Sequence, residues 1–425
     1  MYKRFFLLFF LFLNNLVAAN ETISVVSYNL LYYGHYNSYC TSENNNVDVK
    51  ANNLHTIINY LKPDIFAVNE LGRNVSTADH LLNNALNINE IDFYKRAAYT
   101  NTANSDIVNM LYYNKNKFGL VSQSVANTML RDVNLYKLYY KADDLAETQD
   151  TTYLTCVVAH LKAGSSDYDQ EVRTNMVNNV MAYLDYYNHR GNILFMGDFN
   201  INSSYETSYQ VMTNYQNNAE IRFNDPINKP GQWYNNSNMA MHHTQSTHSG
   251  SSSCFAGGGM DDRYDFILAN DYLLSGDLGF KYVENSYEAI GQDGLRFNQT
   301  LIYPDNNSQP EYVINAMYNF SDHLPVALEL EVTDKVVSVN DENNFYKKNV
   351  RFNNPVTYEL EIIHNFMAQN SVEIMITDVF GKVMKIKEIS ASPMTMDVSD
   401  FMPGMYFLVF TDSEKQRSVY KFIKL

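Results

Sequence analysis

Acidic, amide and imidazole side chains recur in this chain where short apolar runs end. Asn29 closes Ile23–Tyr28, and Glu70 follows Ile65–Val68. His160 closes Leu154–Ala159, while Asp198 and Asn200 follow Ile193–Gly197. Asp265 lies within Asp262–Ile267, and Asp322 with His323 leads into Leu324–Val326. A single Asp or Asn in such a place is usually a turn residue. Six placements, two of them including a histidine, point to a common purpose. Carboxylate and amide oxygens without clustered Cys or His favour a hard cation such as Mg²⁺, Ca²⁺ or Mn²⁺ over zinc. A hard cation beside two imidazoles suits hydrolysis at phosphorus, where the cation neutralises oxygen charge and one imidazole moves a proton. A carboxylate behind a histidine fixes its tautomer and raises its basicity.

The elements that must position these groups are legible in outline. Ile23–Leu31, Asp64–Leu71, Met110–Tyr113, Tyr153–Leu161, Asn192–Met196, Arg263–Ala269 and Pro325–Val332 read as strands. Val47–Leu61 and Glu171–Tyr187 carry apolar residues at helical spacing. Strands mixed with helices indicate an α/β unit, in which ligands gather at one end of the strands. Asn235–Gly259 is rich in Ser, Gly, His and Asn and has no period, so it reads as a long loop, functional or mobile. Its His242, His243 and His248 are expected to be plain loop histidines, because nothing completes a zinc set at ligand spacing. Arg173 reads equally as a phosphate binder or as part of a solvated helix face. The pairs Tyr32–Tyr33 and Tyr139–Tyr140 read as strand packing rather than base-stacking platforms.

Ser27-Tyr28-Asn29, Asn69-Glu70, His160-Leu161-Lys162-Ala163-Gly164, Gly197-Asp198-Phe199-Asn200, Arg263-Tyr264-Asp265 and Ser321-Asp322-His323-Leu324-Pro325-Val326 occur in that order. Together they resemble the endonuclease/exonuclease/phosphatase superfamily, the deoxyribonuclease-I-like metal-dependent phosphoesterases. The resemblance implies a four-layer α/β sandwich, two packed mixed sheets flanked by helices. It also implies residue roles: Glu70 as principal metal ligand, with Asn29 and Asp322 nearby, and Asp198 orienting or activating water. Asn200 holds the scissile phosphate, and His323 is the catalytic histidine, paired with Asp265. His160 resembles a second histidine that contacts phosphate and serves as general acid. That branch pairs it with a glutamate before the Met110–Tyr113 strand. Here the stretch reads Asn104-Ser105-Asp106-Ile107-Val108, which leaves Asp106 as the one substitute.

The chain has 425 residues, with 31 Lys+Arg against 47 Asp+Glu, for a net charge of −16. Tight coating of nucleic acid by phosphate neutralisation is thereby disfavoured. A nuclease that binds weakly and salt-sensitively is not. Residues 1–19 read as a signal peptide: Lys3 and Arg4, then the apolar Phe5–Leu13, then Val17, Ala18 and Ala19. That run is too short for a transmembrane anchor. Of three cysteines, Cys156 falls in a strand, whereas Cys40 and Cys254 lie in polar loops and could pair in an oxidising compartment, a question the sequence leaves open. Residues 20–333 form the expected catalytic unit and 334–350 a polar linker. Residues 351–425 form a small all-β, Ig-like sandwich of closely spaced strands.

In that tail, Asn354-Pro355-Val356, Asp378-Val379-Phe380-Gly381-Lys382-Val383, Met402-Pro403-Gly404-Met405-Tyr406-Phe407 and Tyr420-Lys421-Phe422-Ile423-Lys424 resemble the C-terminal sorting domain of the type IX secretion system of Bacteroidetes. The implied partner is the outer-membrane translocon, and the implied location is secreted or surface-attached. The expected function is a secreted, monomeric nuclease acting on extracellular DNA or RNA. The alternatives are a phosphomonoesterase, a sphingomyelinase-like lipid phosphodiesterase, and, from another class, a non-catalytic surface binding protein. A sphingomyelinase would need an exposed aromatic hairpin, for which Tyr272–Tyr282 and Leu301–Tyr303 are the candidates.

Overall fold

The structure is a computed structural model. It describes residues 21–142, 145, 151–251, 254–333, 350–364, 372–379, 381–389, 392–411 and 417–425. The expected signal peptide and nearly all of the expected linker lie outside these residues. The chain divides into two compact units, Met1–Lys335 and Val336–Leu425.

In the first unit the order is β1 (Thr22–Tyr33), α1 (Val47–Leu61), β2 (Ile65–Gly72), α2 (Val75–Leu81), β3 (Tyr94–Arg96), β4 (Ile107–Asn114), β5 (Phe118–Asn127), β6 (Val133–Tyr140) and β7 (Tyr153–His160). Then come α3 (Asp167–Tyr186), β8 (Asn192–Asp198), α4 (Thr207–Thr213), β9 (Phe223–Asn224), β10 (Asp265–Asn270), α5 (Asp271–Ser275), β11 (Phe280–Tyr282), β12 (Glu288–Ala289), α6 (Glu311–Phe320) and β13 (Val326–Val332). One sheet runs β11-β13-β1-β2-β4-β3, with β12 beside β13, and the other runs β5-β6-β7-β8-β10-β9. Both are mixed. β1 pairs β2 in parallel and β13 antiparallel, while β7 pairs β8 in parallel and β8 pairs β10 antiparallel.

β2, β7 and β8 are apolar nearly throughout because both of their faces are covered. The inward faces of the two sheets share one core with helices α1 and α6, in which Tyr28, Phe66, Leu111, Cys156, Leu194 and Met196 are buried. A second core joins the other face of β7, β8 and β10 to α3 through Val157, Ile193, Phe195, Phe266, Met176 and Val180. The result is the expected layering of helix, sheet, sheet and helix.

Sequence chemistry sets the helix boundaries. Asn46 caps α1 by accepting from the amides of Asp48 and Val49. Ser166 and Asp169 form a capping box, which starts α3 a turn before the expected Glu171. The hairpin β5–β6 and helix α6 lie outside the expected set. β5 alternates weakly and is mostly half-exposed, so its period is faint. α6 buries Val313, Ile314, Met317 and Phe320, a regular helical stripe within a polar neighbourhood.

The second unit is all-β: β14 (Val350–Phe352), β15 (Glu359–His364), β16 (Glu373–Asp378), β17 (Val383–Glu388), β18 (Met394–Asp397), β19 (Gly404–Thr411) and β20 (Arg417–Lys424). Two antiparallel sheets, β14-β15-β18 and β17-β16-β19-β20, enclose Val356, Leu360, Ile374, Leu408, Phe410 and Phe422.

Candidate active site

Strand register brings the chemistry-bearing residues into rows. His160 stands opposite Asp198 across β7 and β8, and Asp198 stands opposite Asp265 across β8 and β10. On the facing sheet, Asn29 stands opposite Asn69, the residue before Glu70. Gly197 sets the approach of the first row: its φ is +134°, and a Cβ there would lie 1.9 Å from the Ala159 carbonyl oxygen.

Across the gap between the sheets the rows meet. The Asn29 amide donates to Asp198 at 2.9 Å and to Glu70 at 3.2 Å. The second Glu70 oxygen accepts the Tyr32 amide at 3.1 Å. Glu70 has φ +58° and Asn200 φ +53°. Asn tolerates that region, whereas Glu there costs on the order of 1–3 kcal/mol, strain of the kind that collects at functional sites. His160 Nε2 lies 3.5 Å from Asp198 and 3.8 Å from Glu70. One oxygen or nitrogen each from Glu70, His160 and Asp198 falls within a sphere suited to a cation, all within 4.8 Å of one another. Burial and the neighbouring Asp322 push the Glu70 carboxyl up, and burial with Asp265 and Glu70 pushes Asp198 up. Packed acids that resist ionisation in this way are a donor set short of positive charge. Asp322 also keeps a buried carboxylate oxygen with no hydrogen-bond partner among the described residues. These residues fit a hard divalent cation.

His323 donates from Nδ1 to Asp265 at 2.7 Å. Burial would depress this imidazole, but Asp265, Asp198 and Asp322 outweigh burial and lift it well above its ordinary value. Its Nε2 lies 3.8 Å from Asp198 and 2.7 Å from the Gln245 side-chain amide. With nitrogen facing the ring, Gln245 donates to an unprotonated Nε2; turned by half a rotation it accepts from a protonated one. Gln245 therefore serves either state. Asn200 donates to Asp198 at 2.8 Å, which holds the carboxylate but also occupies the amide expected to hold phosphate.

His160 departs from the expectation. Its Nδ1 is buried without a hydrogen-bond partner among the described residues. Asp106 does not supply one, because it is exposed and paired with Arg73 at 2.9 Å. Asn109, buried on β4, donates to the Val158 and Asp132 carbonyls and accepts from Asn69. Burial, then Arg131 and His323, hold His160 well below its ordinary value.

Among the described residues, the loop histidines belong to no grouped set of metal-ligating side chains. His243 is fully buried and bonds the Met260 and Trp233 carbonyls, and His248 is stacked between Phe255 and Tyr318. Their loop is a scaffold: Thr244 accepts the Asp265 amide at 3.2 Å, and Gln245 bridges to His323. Arg173 fits neither expected reading. It is fully buried, pairs with Glu206 at 2.7 Å and donates to the Lys162 and Gly164 carbonyls, clamping the segment after His160.

Two cations escaped sequence reasoning. Arg131, from the β5–β6 turn, donates to the His160 and Leu161 carbonyls and acts electrostatically on Glu70 and Asp198. Lys50, buried on α1, donates to the Leu31 and Phe320 carbonyls, tying the end of β1 to the segment before Asp322. Burial lowers its amine to about 7, against the pull of Asp322 and Glu70. A lone lysine on the apolar face of a helix was the only signal. Cys40 and Cys254 form a disulfide, with Cα atoms 4.5 Å apart.

Residues 26–323 match the endonuclease/exonuclease/phosphatase family, and residues 352–425 match the secretion system C-terminal sorting domain. The chain belongs to the endonuclease/exonuclease/phosphatase family and is a phosphoric ester hydrolase. Among solved structures, a family member from Bacteroides thetaiotaomicron is 14% identical with TM-score 0.45, over 74% of this chain and 96% of that one. One from Bacteroides vulgatus is 14% identical with TM-score 0.46, over 74% and 100%. A mannosyl-6-phosphatase of Bacteroides thetaiotaomicron is 14% identical with TM-score 0.45, over 72% and 99%. No curated protein matches the chain. The sorting domain marks the chain for export through the type IX system to the cell surface or beyond, and among the described residues no helix is long and apolar enough to cross a membrane.

Proposed function

We propose that the chain is an exported, divalent-cation-dependent nuclease that hydrolyses phosphodiester bonds of DNA or RNA outside the cell. The observation that carries this reading is the opposition of an imidazole–carboxylate pair, His323 and Asp265, to the buried acids Glu70 and Asp198. Glu70 and Asn29 would hold Mg²⁺, or Ca²⁺ or Mn²⁺ in its place, with Asp198, His160 and Asp322 at its border. When bound, the cation neutralises charge on the phosphoryl and leaving oxygens. Asp198, its carboxyl raised by burial and its acidic neighbours, takes a proton from the attacking water as the new P–O bond forms and the P–O bond to the leaving oxygen breaks. His323, held by Asp265, directs its Nε2 toward the reacting oxygens. His160, on the border of the cation site, contributes a hydrogen bond to a phosphoryl oxygen or a ligand nitrogen.

A sphingomyelinase is disfavoured by the aromatic candidates themselves. Phe280 and Tyr282 are buried in β11 against β13 and Leu301 is buried, so within the two candidate segments Tyr303 is the one exposed aromatic side chain, short of a membrane-contact hairpin. Hydrolysis of single-stranded DNA, RNA, a sugar phosphate and sphingomyelin, compared side by side with Mg²⁺ and with EDTA, tests the reading. Cation-dependent turnover of a nucleic acid supports it; turnover confined to the sugar phosphate or to sphingomyelin contradicts it.

A further inference from the structure

Above Glu70, Asp322 and His323 lies a cavity of about 270 Å³ whose wall includes Tyr39, Cys40, Cys254 and Phe255. The two halves of that wall lie 214 residues apart in sequence and are joined by the Cys40–Cys254 disulfide. Asn37 fixes the first half by accepting from the Tyr39 and Cys40 amides at 2.8 and 2.7 Å. The second half is fixed by rings. Phe255 lies 4.2 Å from His248, and His248 stacks on Tyr318 of α6 at 4.0 Å with 20° between planes. The next residue, Ala256, donates its amide to Asp322 at 3.0 Å. A flat apolar ring is thus braced by a helix, tied covalently to the opposite loop and held one residue from a reacting-centre carboxylate. Tyr39, its neighbour across the disulfide, is 72% exposed, which leaves its ring open to solvent.

Such bracing is not needed to fill a core, because Phe255 is only half-buried. It is what a stacking platform needs, since a ring ordered in advance loses no rotamer freedom on binding. We propose that Phe255, with Tyr39 beside it, is a specificity-determining platform that stacks the unpaired base next to the scissile phosphate. Single-stranded nucleic acid is then the preferred substrate. This deepens the nuclease reading and rests on it. Bases of a duplex have both faces occupied by their neighbours and a partner strand attached, so a ring can stack fully only on an unpaired base. Base–aromatic stacking tolerates every base, so the platform selects for strand state and not for sequence.

The test uses the full-length, disulfide-intact protein. kcat/KM is measured on a single-stranded oligonucleotide, on the same backbone with abasic residues, and on the duplex. Wild type is expected to favour the base-bearing single strand over the abasic one by about tenfold or more, the scale of one base–aromatic stack. F255L keeps an apolar side chain against His248 but removes the flat face, so this preference should collapse toward one through KM; F255W should restore it. Without any variant, adenosine monophosphate should inhibit wild type at least about tenfold more strongly than ribose 5-phosphate. An unchanged preference in F255L, faster cleavage of duplex than of single strand, or equal inhibition by the two phosphates overturns the platform while leaving a nuclease. Failure to cleave any nucleic acid, with turnover of a sugar phosphate or of sphingomyelin, overturns the nuclease reading and the platform with it.

Discussion

His323 and Asp265 are the residues whose contribution can be isolated with least disturbance. Asp265 accepts from the imidazole at 2.7 Å, and Thr244 holds its backbone. D265N preserves shape but removes the charge that lifts His323 above its ordinary value. We expect kcat to fall by about 10²–10⁴-fold, the usual worth of a positioned proton-transfer group, with the melting temperature changed little. Wild-type turnover in purified D265N would remove this pair from the mechanism. Most of the residues brought together here were legible in the sequence because each ends an apolar run, and strand register does the rest. Gln245 and Arg131 were not, because each reaches the site from a loop without a pattern, and Lys50 was not, because a lone lysine on the apolar face of a helix does not name its partners. Asp106 does not reach His160 because it is exposed and paired with Arg73 at the surface.

At the scale of elements, the site depends on how loops are anchored to the second sheet. Arg263 illustrates this two residues before Asp265. It is fully buried, bonds both Asp225 oxygens at 2.7 and 2.8 Å, and lies 4.2 Å over the Phe266 ring. Burial would raise the Asp225 carboxyl, but the charge and hydrogen bonds of Arg263 outweigh it and hold the group below its ordinary value. A depressed carboxylate stabilises the fold fully above its unfolded pKa, near 3.9. That contribution is lost as pH falls through the lower folded value. Wild type should therefore lose stability progressively below about pH 4. D225N, with the guanidinium left unpaired, should start about 3–5 kcal/mol less stable at neutral pH and lose less on acidification. Denaturant unfolding of both proteins at pH 7 and pH 3.5 measures this, and equal stability at pH 7 would contradict it. Strands with continuous apolar runs, such as β7 and β8, were visible in the sequence, whereas the half-exposed β5 was not. The long loop at 235–259 lacks a period because its residues are fixed by single contacts to Asp265, Asp322 and His323 rather than by a repeating ladder.

For the whole molecule, charge is the constraint that function must answer. The tail carries 8 basic and 9 acidic residues, so nearly all of the −16 belongs to the remainder of the chain. The proposed polyanionic substrate would meet Glu70, Asp198, Asp265 and Asp322 at the site, with Arg131 and Lys50 as the nearby counter-charges. Arg131 and Lys50, both already engaged with backbone carbonyls, together with the His323 imidazole do not offset four acids and a phosphodiester, so binding without a metal is disfavoured. The tail adds an address rather than chemistry, matching the sorting domain along 352–425. The measurement that bears most directly on the account is a Mg²⁺ titration of single-stranded nucleic acid hydrolysis by wild type and by E70Q. Wild type should be inactive in EDTA and regain full rate as Mg²⁺ is restored. E70Q should require at least about tenfold more Mg²⁺ for half-maximal rate, the usual cost of disturbing a metal site. Hydrolysis that persists in EDTA, or an E70Q titration that overlays wild type, would contradict the central claim.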